Sequence, residues 1–454
     1  MSFDRWRTTG REVAVLGLAR SGMAAALLLR REGIPVYVSD RAGEADKAVG
    51  ADGLRRLEEA GVAVQLGGHD LKRIAQAGLV VISPGIPPDA PPVLAARDAG
   101  VPIVSEVDVG YQALLGVKYA AITGTNGKTT TTALTGHLLQ SAGLKAVAAG
   151  NIGRPLSQVA LDNDRPEWIA LELSSFQLHD THDLVPAVGA VTNLAPDHLD
   201  RYATLEEYYA DKDRLFVNAT AASCWVTNGG DAEVERRSAA VPGTHLRFRV
   251  HERGDACYDR SKGALILRDS PLLSRAEFPL LGEHNVANAL AASLVAWRAG
   301  GSPEGIAAGL RTFHALPHRM EPVRTVNGVL WINDSKATNV ASTTVAVQAL
   351  QQPFVLLLGG RHKGEPYTAL AKASGDRCRS VIAFGESRDL VTQDLKDLMP
   401  VTRAGTDFGE VLALARRLAQ PGDAVLLSPA CSSYDMFKNY EDRGAQFRAA
   451  VEAM

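Results

Sequence analysis

One segment constrains the fold of this chain more than any other. An apolar run at residues 118–123 leads into Gly124-Thr125-Asn126-Gly127-Lys128-Thr129-Thr130, and a helical pattern follows up to Gly143. A strand that ends in a glycine-rich turn and restarts as a helix is the unit of a parallel α/β sheet, because the turn presents free backbone N–H groups at the carboxyl edge of the strands. The spacing G-x-x-G-K-T is the latter part of a phosphate loop; the longer G-x-x-x-x-G-K-[ST] form would want glycine where Ile122 stands. The chemistry survives that departure. Amides from Gly124 to Thr130 can cradle β- and γ-phosphates, Lys128 can neutralise them, and the hydroxyl of Thr129 or Thr130 can reach Mg²⁺.

The same grammar occurs twice more. Residues 12–16 read as a buried strand, Gly17-Leu18-Ala19-Arg20-Ser21-Gly22 as the turn, residues 23–31 as a helix, and residues 34–39 as a second strand ending at Asp40. This is close to the dinucleotide fingerprint, with Ala19 in the place of its middle glycine. A pyrophosphate at the helix N-terminus and a tight connection without ligand fit these residues equally. Residues 80–87 add a strand running into Ser83-Pro84-Gly85, again at a ligand-binding edge. After a break at Leu316-Pro317-His318-Arg319, strands at 329–333, 353–358, 381–384 and 424–427 alternate with helical stretches, and a last helix is predicted over 436–450. The fold class is therefore α/β with three domains: an N-terminal Rossmann-like domain at 1–107, a central phosphate-loop domain with a parallel sheet at 108–315, and a C-terminal Rossmann-like domain at 316–454. A length of 454 residues suits about three domains. Residues 244–278 read only as short β-like pieces.

Composition excludes several classes. The 46% hydrophobic and 22% charged residues are those of an ordinary globular chain, and a formal net charge of −3 gives no global attraction to nucleic acid or to acidic lipid. Cys224, Cys257, Cys378 and Cys431 form no C-x-x-C pair, which points to a reducing compartment rather than a disulfide or zinc framework. With no signal-like N-terminus and no long apolar span, a cytoplasmic protein without a membrane partner is expected.

Two further residues belong with the loop. Glu172 stands near the end of an apolar strand at 168–173, where a carboxylate is costly without a partner, and a metal is a natural one. His198 follows the strand at 187–192 and can emerge at the same edge. Taken singly, Asp334, Lys336 and Lys363 read as solvated loop charges.

Together the segments Gly124 to Thr129, Glu172-Leu173-Ser174-Ser175-Phe176-Gln177-Leu178, Asn193 to Tyr202, Gly282-Glu283-His284-Asn285 with Asn288, His318-Arg319, Asn333 to Asn339, and Ser428-Pro429-Ala430-Cys431-Ser432-Ser433-Tyr434-Asp435 with Lys438-Asn439-Tyr440 resemble the Mur ligases over nearly the whole chain. The resemblance implies an ATP-dependent amide-forming ligase of peptidoglycan precursor synthesis, working through an acyl phosphate on UDP-N-acetylmuramoyl-L-alanine and D-glutamate as a monomer. It implies that Gly17, Leu18, Ala19, Arg20, Ser21, Asp40 and Gly85 serve the UDP precursor, that Asn151, Ser174 and Gln177 serve its muramoyl peptide, and that Asn285, Asn288, Arg319 and Asp334 contact ATP. It further implies that Thr129 and Glu172 hold one Mg²⁺ and His198 a second, with Lys212 carbamylated; unmodified, Lys212 would be an exposed helix lysine. Lys336 would lie near the reacting phosphate, and Thr338, Lys363, Ser433, Tyr434 and Tyr440 would line the glutamate site. A nicotinamide oxidoreductase built on the first domain would leave the Lys128 loop without a task.

Overall fold

The computed structural model describes residues 3–43, 50–151, 153–198 and 201–454. Three sheets account for its strands. The first takes β1 (Val13–Leu16), β2 (Val36–Asp40), β3 (Ala63–Leu66), β4 (Leu79–Ile82) and β5 (Ile103–Ser105) in the order 3-2-1-4-5, all parallel. The second is nine-stranded. Its parallel part comprises β6 (Lys118–Thr123), β7 (Ala146–Gly150), β8 (Trp168–Glu172), β9 (Val188–Val191), β10 (Cys224–Asn228) and β11 (Thr244–Arg249). β12 (Ala256–Asp259) continues it in parallel, and β13 (Ala264–Leu267) and β14 (Ser270–Ser274) close that edge as antiparallel hairpins. The segment expected as short β-like pieces thus forms an edge that a purely parallel sheet would not have. The third sheet holds β15 (Glu321–Val326), β16 (Val329–Asn333), β17 (Phe354–Gly359), β18 (Cys378–Phe384), β19 (Val401–Arg403) and β20 (Ala424–Leu427) in the order 15-16-20-17-18-19; only its edge strand β15 is antiparallel.

The chain divides into two compact units, Met1–Phe278 with Ala287–Thr312, and Pro279–Val286 with Phe313–Met454. The first unit contains the first two sheets, and one buried apolar cluster runs through both, from Val13 and Val15 to Ile169 and Trp225. Apolar runs such as VAVL in β1 and FVLLLG in β17 are buried throughout, as strands covered by helices on both faces must be. The second unit has a core on each face of its sheet, one with Ile332, Leu356 and Leu426, the other with Trp331, Leu357 and Phe447.

Two helix starts differ from the sequence expectation. The first helix of the nucleotide-type turn begins at Arg20 rather than residue 23, and the last spans Tyr440–Glu452 because the Asn439 side chain accepts from the N–H of Asp442 at 2.7 Å and caps it there. The helix Glu106–Ala113 runs across residue 107. Among the described residues no helix is long and apolar enough to cross a membrane.

Candidate active site

The parallel register of the second sheet assembles the site in the first unit. Ile122 lies beside Glu172, and Glu172 beside Gly150, so the residues that follow β6 and β7 emerge next to the end of β8. Gly124 and Gly127 carry φ values of +140° and +80°, which L side chains rarely adopt, and a Cβ would overlap Thr192 Oγ1 at the first and Asn288 Oδ1 at the second. The loop is braced from behind. Asn193 Oδ1 accepts from Asn126 N–H at 2.9 Å while its Nδ2 donates to the Asn126 carbonyl at 2.9 Å, and the Thr192 hydroxyl donates to the same carbonyl at 2.6 Å. The Thr125 hydroxyl lies 3.2 Å from that of Tyr208, whose ionisation burial suppresses. Gly127 serves as N-cap of the helix Lys128–Ser141, so the first N–H groups of that helix face the loop.

Glu172 is 1% exposed. Its Oε1 accepts from Asn151 Nδ2 at 2.9 Å and from the Thr129 hydroxyl at 3.3 Å, whereas its Oε2 is buried with no hydrogen-bond partner among the described residues. A buried carboxylate oxygen with nothing to accept from is a costly arrangement that a cation would relieve, so Thr129 and Glu172 fit a hard divalent metal. Three of the expected residues, Thr129, Asn151 and Glu172, therefore meet at one point.

Lys212 is also drawn in, and it is not an exposed helix lysine: it is 2% exposed and its Nζ donates to the Gly124 carbonyl at 2.7 Å. Lys128 Nζ donates to that carbonyl at 3.0 Å and to the carbonyl of Thr125 at 2.8 Å. Burial first, and then the neighbouring Lys128 charge, hold the Lys212 amine well below the ordinary lysine range. His198 is exposed, adopts a left-handed φ of +54°, and sets its ring 4.9 Å from that of Phe176 with Nε2 3.6 Å from Asp197. Among the described residues no three His, Cys, Asp or Glu side chains form a metal cage.

The first sheet places its candidates at a separate edge of the same unit. Gly17 has φ +89° and lies against Ser83, whose hydroxyl donates to the Gly17 carbonyl at 3.3 Å; a Cβ on Gly22 would overlap that same carbonyl. Asp40 braces the turn, with Oδ2 accepting from Leu18 N–H at 2.6 Å and Oδ1 from Ala42 N–H at 2.8 Å. Leu18 is buried, while Ala19, Arg20 and Gly85 are exposed and Ser21 half-buried. Arg20 reaches the Gly153 carbonyl at 3.3 Å. Arg201, which sequence reasoning passed over, donates to the carbonyls of Pro84 and Ile86 at 3.0 and 2.6 Å and stacks 3.9 Å from the Phe176 ring centre. Ser174 and Gln177 face each other in a capping box at the start of the helix Ser175–His179. Thr130 is half-buried behind the loop, and Asn288 accepts from the Thr131 hydroxyl at 3.2 Å.

The second unit collects the remainder. Asp334 is not a solvated loop charge: it is 7% exposed, accepting from Met320 N–H at 3.1 Å and the Ser428 hydroxyl at 2.7 Å, and burial raises its carboxyl to about 7. Lys336 is half-buried with its ammonium 5.2 Å from the Tyr440 ring centre. Lys363 is exposed and donates to the Thr338 hydroxyl at 3.3 Å, which unites two residues far apart in sequence. Ser433 is buried and Tyr434 is 65% exposed. Arg319 is half-buried, and Asn285 Nδ2 donates to the Leu281 carbonyl at 2.7 Å.

A phosphate loop with a carboxylate beside its Thr129, joined to two Rossmann-like sheets, defines an ATP-using ligase scaffold, and the comparisons give the class. Residues 11–105 match the model for the Mur ligase MurD-like N-terminal domain, 122–296 the Mur ligase middle domain, and 318–431 the Mur ligase glutamate ligase domain. The chain belongs to the Mur ligase family. Within it, the chain is 40% identical to a UDP-N-acetylmuramoylalanine--D-glutamate ligase of Acidobacterium capsulatum, covering 98% of this chain and 96% of that protein. It is 39% identical to the proteins of the same name from Myxococcus xanthus, over 98% of this chain and 99% of that one, and from Salinibacter ruber, over 100% of both. In fold it is similar to the UDP-N-acetylmuramate-alanine ligase of Thermotoga maritima, with TM-score 0.62, 18% identity and coverage of 98% and 99% of the two chains. A structure of MurF from Acinetobacter baumannii matches with TM-score 0.61, 16% identity and coverage of 97% and 93%.

Proposed function

We propose that this chain joins D-glutamate to UDP-N-acetylmuramoyl-L-alanine at the expense of ATP. The observation that carries the reading is the buried Glu172 carboxylate beside Thr129 at the mouth of the loop, with one oxygen left for a cation. A carboxylate is a poor acyl donor near neutral pH. The terminal carboxylate oxygen of the precursor's alanine attacks the γ-phosphorus of ATP, the bond to the β-γ bridging oxygen breaks, and ADP leaves. The resulting acyl phosphate is attacked by the neutral amine of glutamate; the tetrahedral intermediate loses phosphate and a proton, leaving the amide.

The chain's part in the first step is positioning and charge neutralisation. Loop amides and Lys128 orient and neutralise the β- and γ-phosphates, as phosphoryl transfer requires. Mg²⁺ held by Thr129 and Glu172 would screen the phosphate oxygens and act as a Lewis acid. A second ion would need His198 together with a modified Lys212. In its neutral form the buried amine of Lys212 can attack CO₂ and release a proton to give a carbamate, which converts a repelling cation into an oxygen ligand. Asn285, Asn288, Arg319, Asp334 and Lys336 are assigned to ATP; Thr338, Lys363, Ser433, Tyr434 and Tyr440 to glutamate, whose carboxylates want a cation and hydroxyl donors of these types. The turns after β1, β2 and β4 take the UDP, and Asn151, Ser174 and Gln177 the muramoyl peptide. The assigned domains are 1–107, 108–315 and 316–454, and a monomer in a reducing cytoplasm suits a reaction that needs no second copy and four thiols that remain free.

The test is phosphate release with ATP, precursor and glutamate, each omitted in turn. Release that depends on precursor and D-glutamate together is expected; release indifferent to the precursor refutes the reading, and preference for another amino acid in a parallel panel refutes the glutamate assignment.

A further inference from the structure

Arg443 is a fully buried cation, 0% exposed, in the helix Tyr440–Glu452. Among the described residues no carboxylate pairs with it. Its fork is spent on a hydroxyl and two carbonyls: Nε donates to Ser335 Oγ at 2.9 Å, Nη2 to the Ser335 carbonyl at 2.8 Å, and Nη1 to the Cys431 carbonyl at 3.2 Å. Asp435 and Asp334 act on it electrostatically without coming within ion-pair distance, and burying a guanidinium with no carboxylate in direct contact is among the more expensive choices a core can make; methionine would fill similar space without that cost. Desolvation lowers it to about 10, so the group stays charged near neutral pH.

What the fork holds is informative. Ser335 lies between Asp334 and Lys336, two residues before Ala337 and three before Thr338, and its hydroxyl also donates to the Tyr440 carbonyl at 2.9 Å. Cys431 is two residues from Ser433. The neighbouring Ser432 exchanges backbone hydrogen bonds with Arg361 at 2.9 and 3.1 Å, which ties in the turn that carries Lys363. Gly360 has φ +132°, and a Cβ there would overlap the Ser432 carbonyl, so that turn needs glycine to pass Ser432; Arg443 Nη1 lies alongside at 3.4 Å, an ordinary contact. The segments bearing Thr338, Lys363, Ser433 and Tyr440 thus all converge on one buried side chain, whose own hydrogen bonds go to Ser335 and Cys431.

We propose that Arg443 is a positioning residue for the amino-acid site: a buried fork that fixes the spacing of the segments carrying Thr338, Lys363, Ser433 and Tyr440, so that the incoming amino acid meets a preformed set of donors. The proposal rests on the function given above. It commits Arg443 to the amino acid rather than to the precursor, whose assigned residues lie in the first unit.

The test compares Arg443→Lys and Arg443→Met with the wild-type chain in steady-state phosphate release, with thermal unfolding as the check on folding. Lysine keeps the charge but cannot span three acceptors on two segments. The expected result is a KM for D-glutamate raised about tenfold or more in the lysine variant and further in the methionine variant, with the KM for precursor within about twofold. A lysine variant that folds and keeps its glutamate KM overturns the proposal, as does an equal rise in the KM for precursor, which a general loosening would give. Should the methionine variant not fold, the lysine variant alone decides. Wild-type protein that releases no phosphate with D-glutamate refutes the glutamate reading instead, and the variants are then scored on the amino acid that the wild type accepts.

Discussion

Asp334 offers the most quantitative test of the second unit's electrostatics. Its carboxyl is buried, takes hydrogen bonds from Met320 N–H and the Ser428 hydroxyl, and is raised by desolvation from 3.8 to about 7. The folded chain therefore holds this proton more tightly than the unfolded chain. Below about pH 4 both states are protonated and nothing is lost. Between about pH 4 and pH 7 the unfolded chain ionises while the folded chain resists, so stability falls as pH rises; above about pH 7 the loss is constant. The full penalty is on the order of 4 kcal/mol, of which roughly 2 to 3 kcal/mol falls between pH 5 and pH 8. Asp334→Asn keeps an acceptor for Met320 N–H, offers a donor to the Ser428 hydroxyl, and carries no charge. Urea titration at several pH values, read by pulse proteolysis with fragments of the second unit quantified, gives the stability of each chain. The wild type is expected to lose roughly 2 to 3 kcal/mol relative to the variant from pH 5 to pH 8, while the variant, without the charge proposed to serve ATP, should release less phosphate. A wild-type-minus-variant difference that stays flat over this range refutes the claim that the carboxyl is desolvated.

Three other predictions concern the first unit. Gly127→Ala places a Cβ at φ +80° against Asn288 Oδ1, which costs about 1 to 2 kcal/mol in backbone strain alone, so the KM for ATP should rise about tenfold or more; an unchanged value would show that the loop does not hold ATP in this form. Glu172→Gln keeps the hydrogen bonds at Oε1 but removes the charge, and the Mg²⁺ concentration for half-maximal activity should rise at least about tenfold with no change in thermal unfolding, whereas equal metal dependence would remove Glu172 from the metal site. Lys212→Met should unfold at or above the wild-type temperature, because an amine buried at high desolvation cost, with no carboxylate in ion-pair contact, is replaced by an apolar chain of similar length, yet it should release no phosphate. Wild-type activity should also climb when bicarbonate is added to CO₂-depleted buffer, and indifference to bicarbonate would count against carbamylation.

The candidate site was legible in sequence to the extent that it follows local rules. The loop at Gly124–Thr130, the strand-end placement of Glu172 and the turn at Gly17–Gly22 depend on residue type and on strand-turn-helix order, which short stretches encode. Burial was not legible. Lys212 and Asp334 look like surface charges in their own segments, and only packing against Gly124 and Ser428 removes them from water. Arg443 and Arg201 were not singled out in sequence, since most of their hydrogen bonds go to backbone carbonyls, which every residue possesses.

The chain's linear order therefore determined that parallel α/β sheets would form and which residue types would stand at their carboxyl edges, because alternation of apolar runs, glycine turns and helical patterns is a local property. Tertiary structure decided which of those residues meet: register set Glu172 beside the loop, the antiparallel hairpins closed the sheet at β14, and a buried guanidinium tied two distant segments to its own helix. The reason is physical. Desolvation and long-range hydrogen bonding depend on neighbours remote in sequence, and no window of adjacent residues contains them.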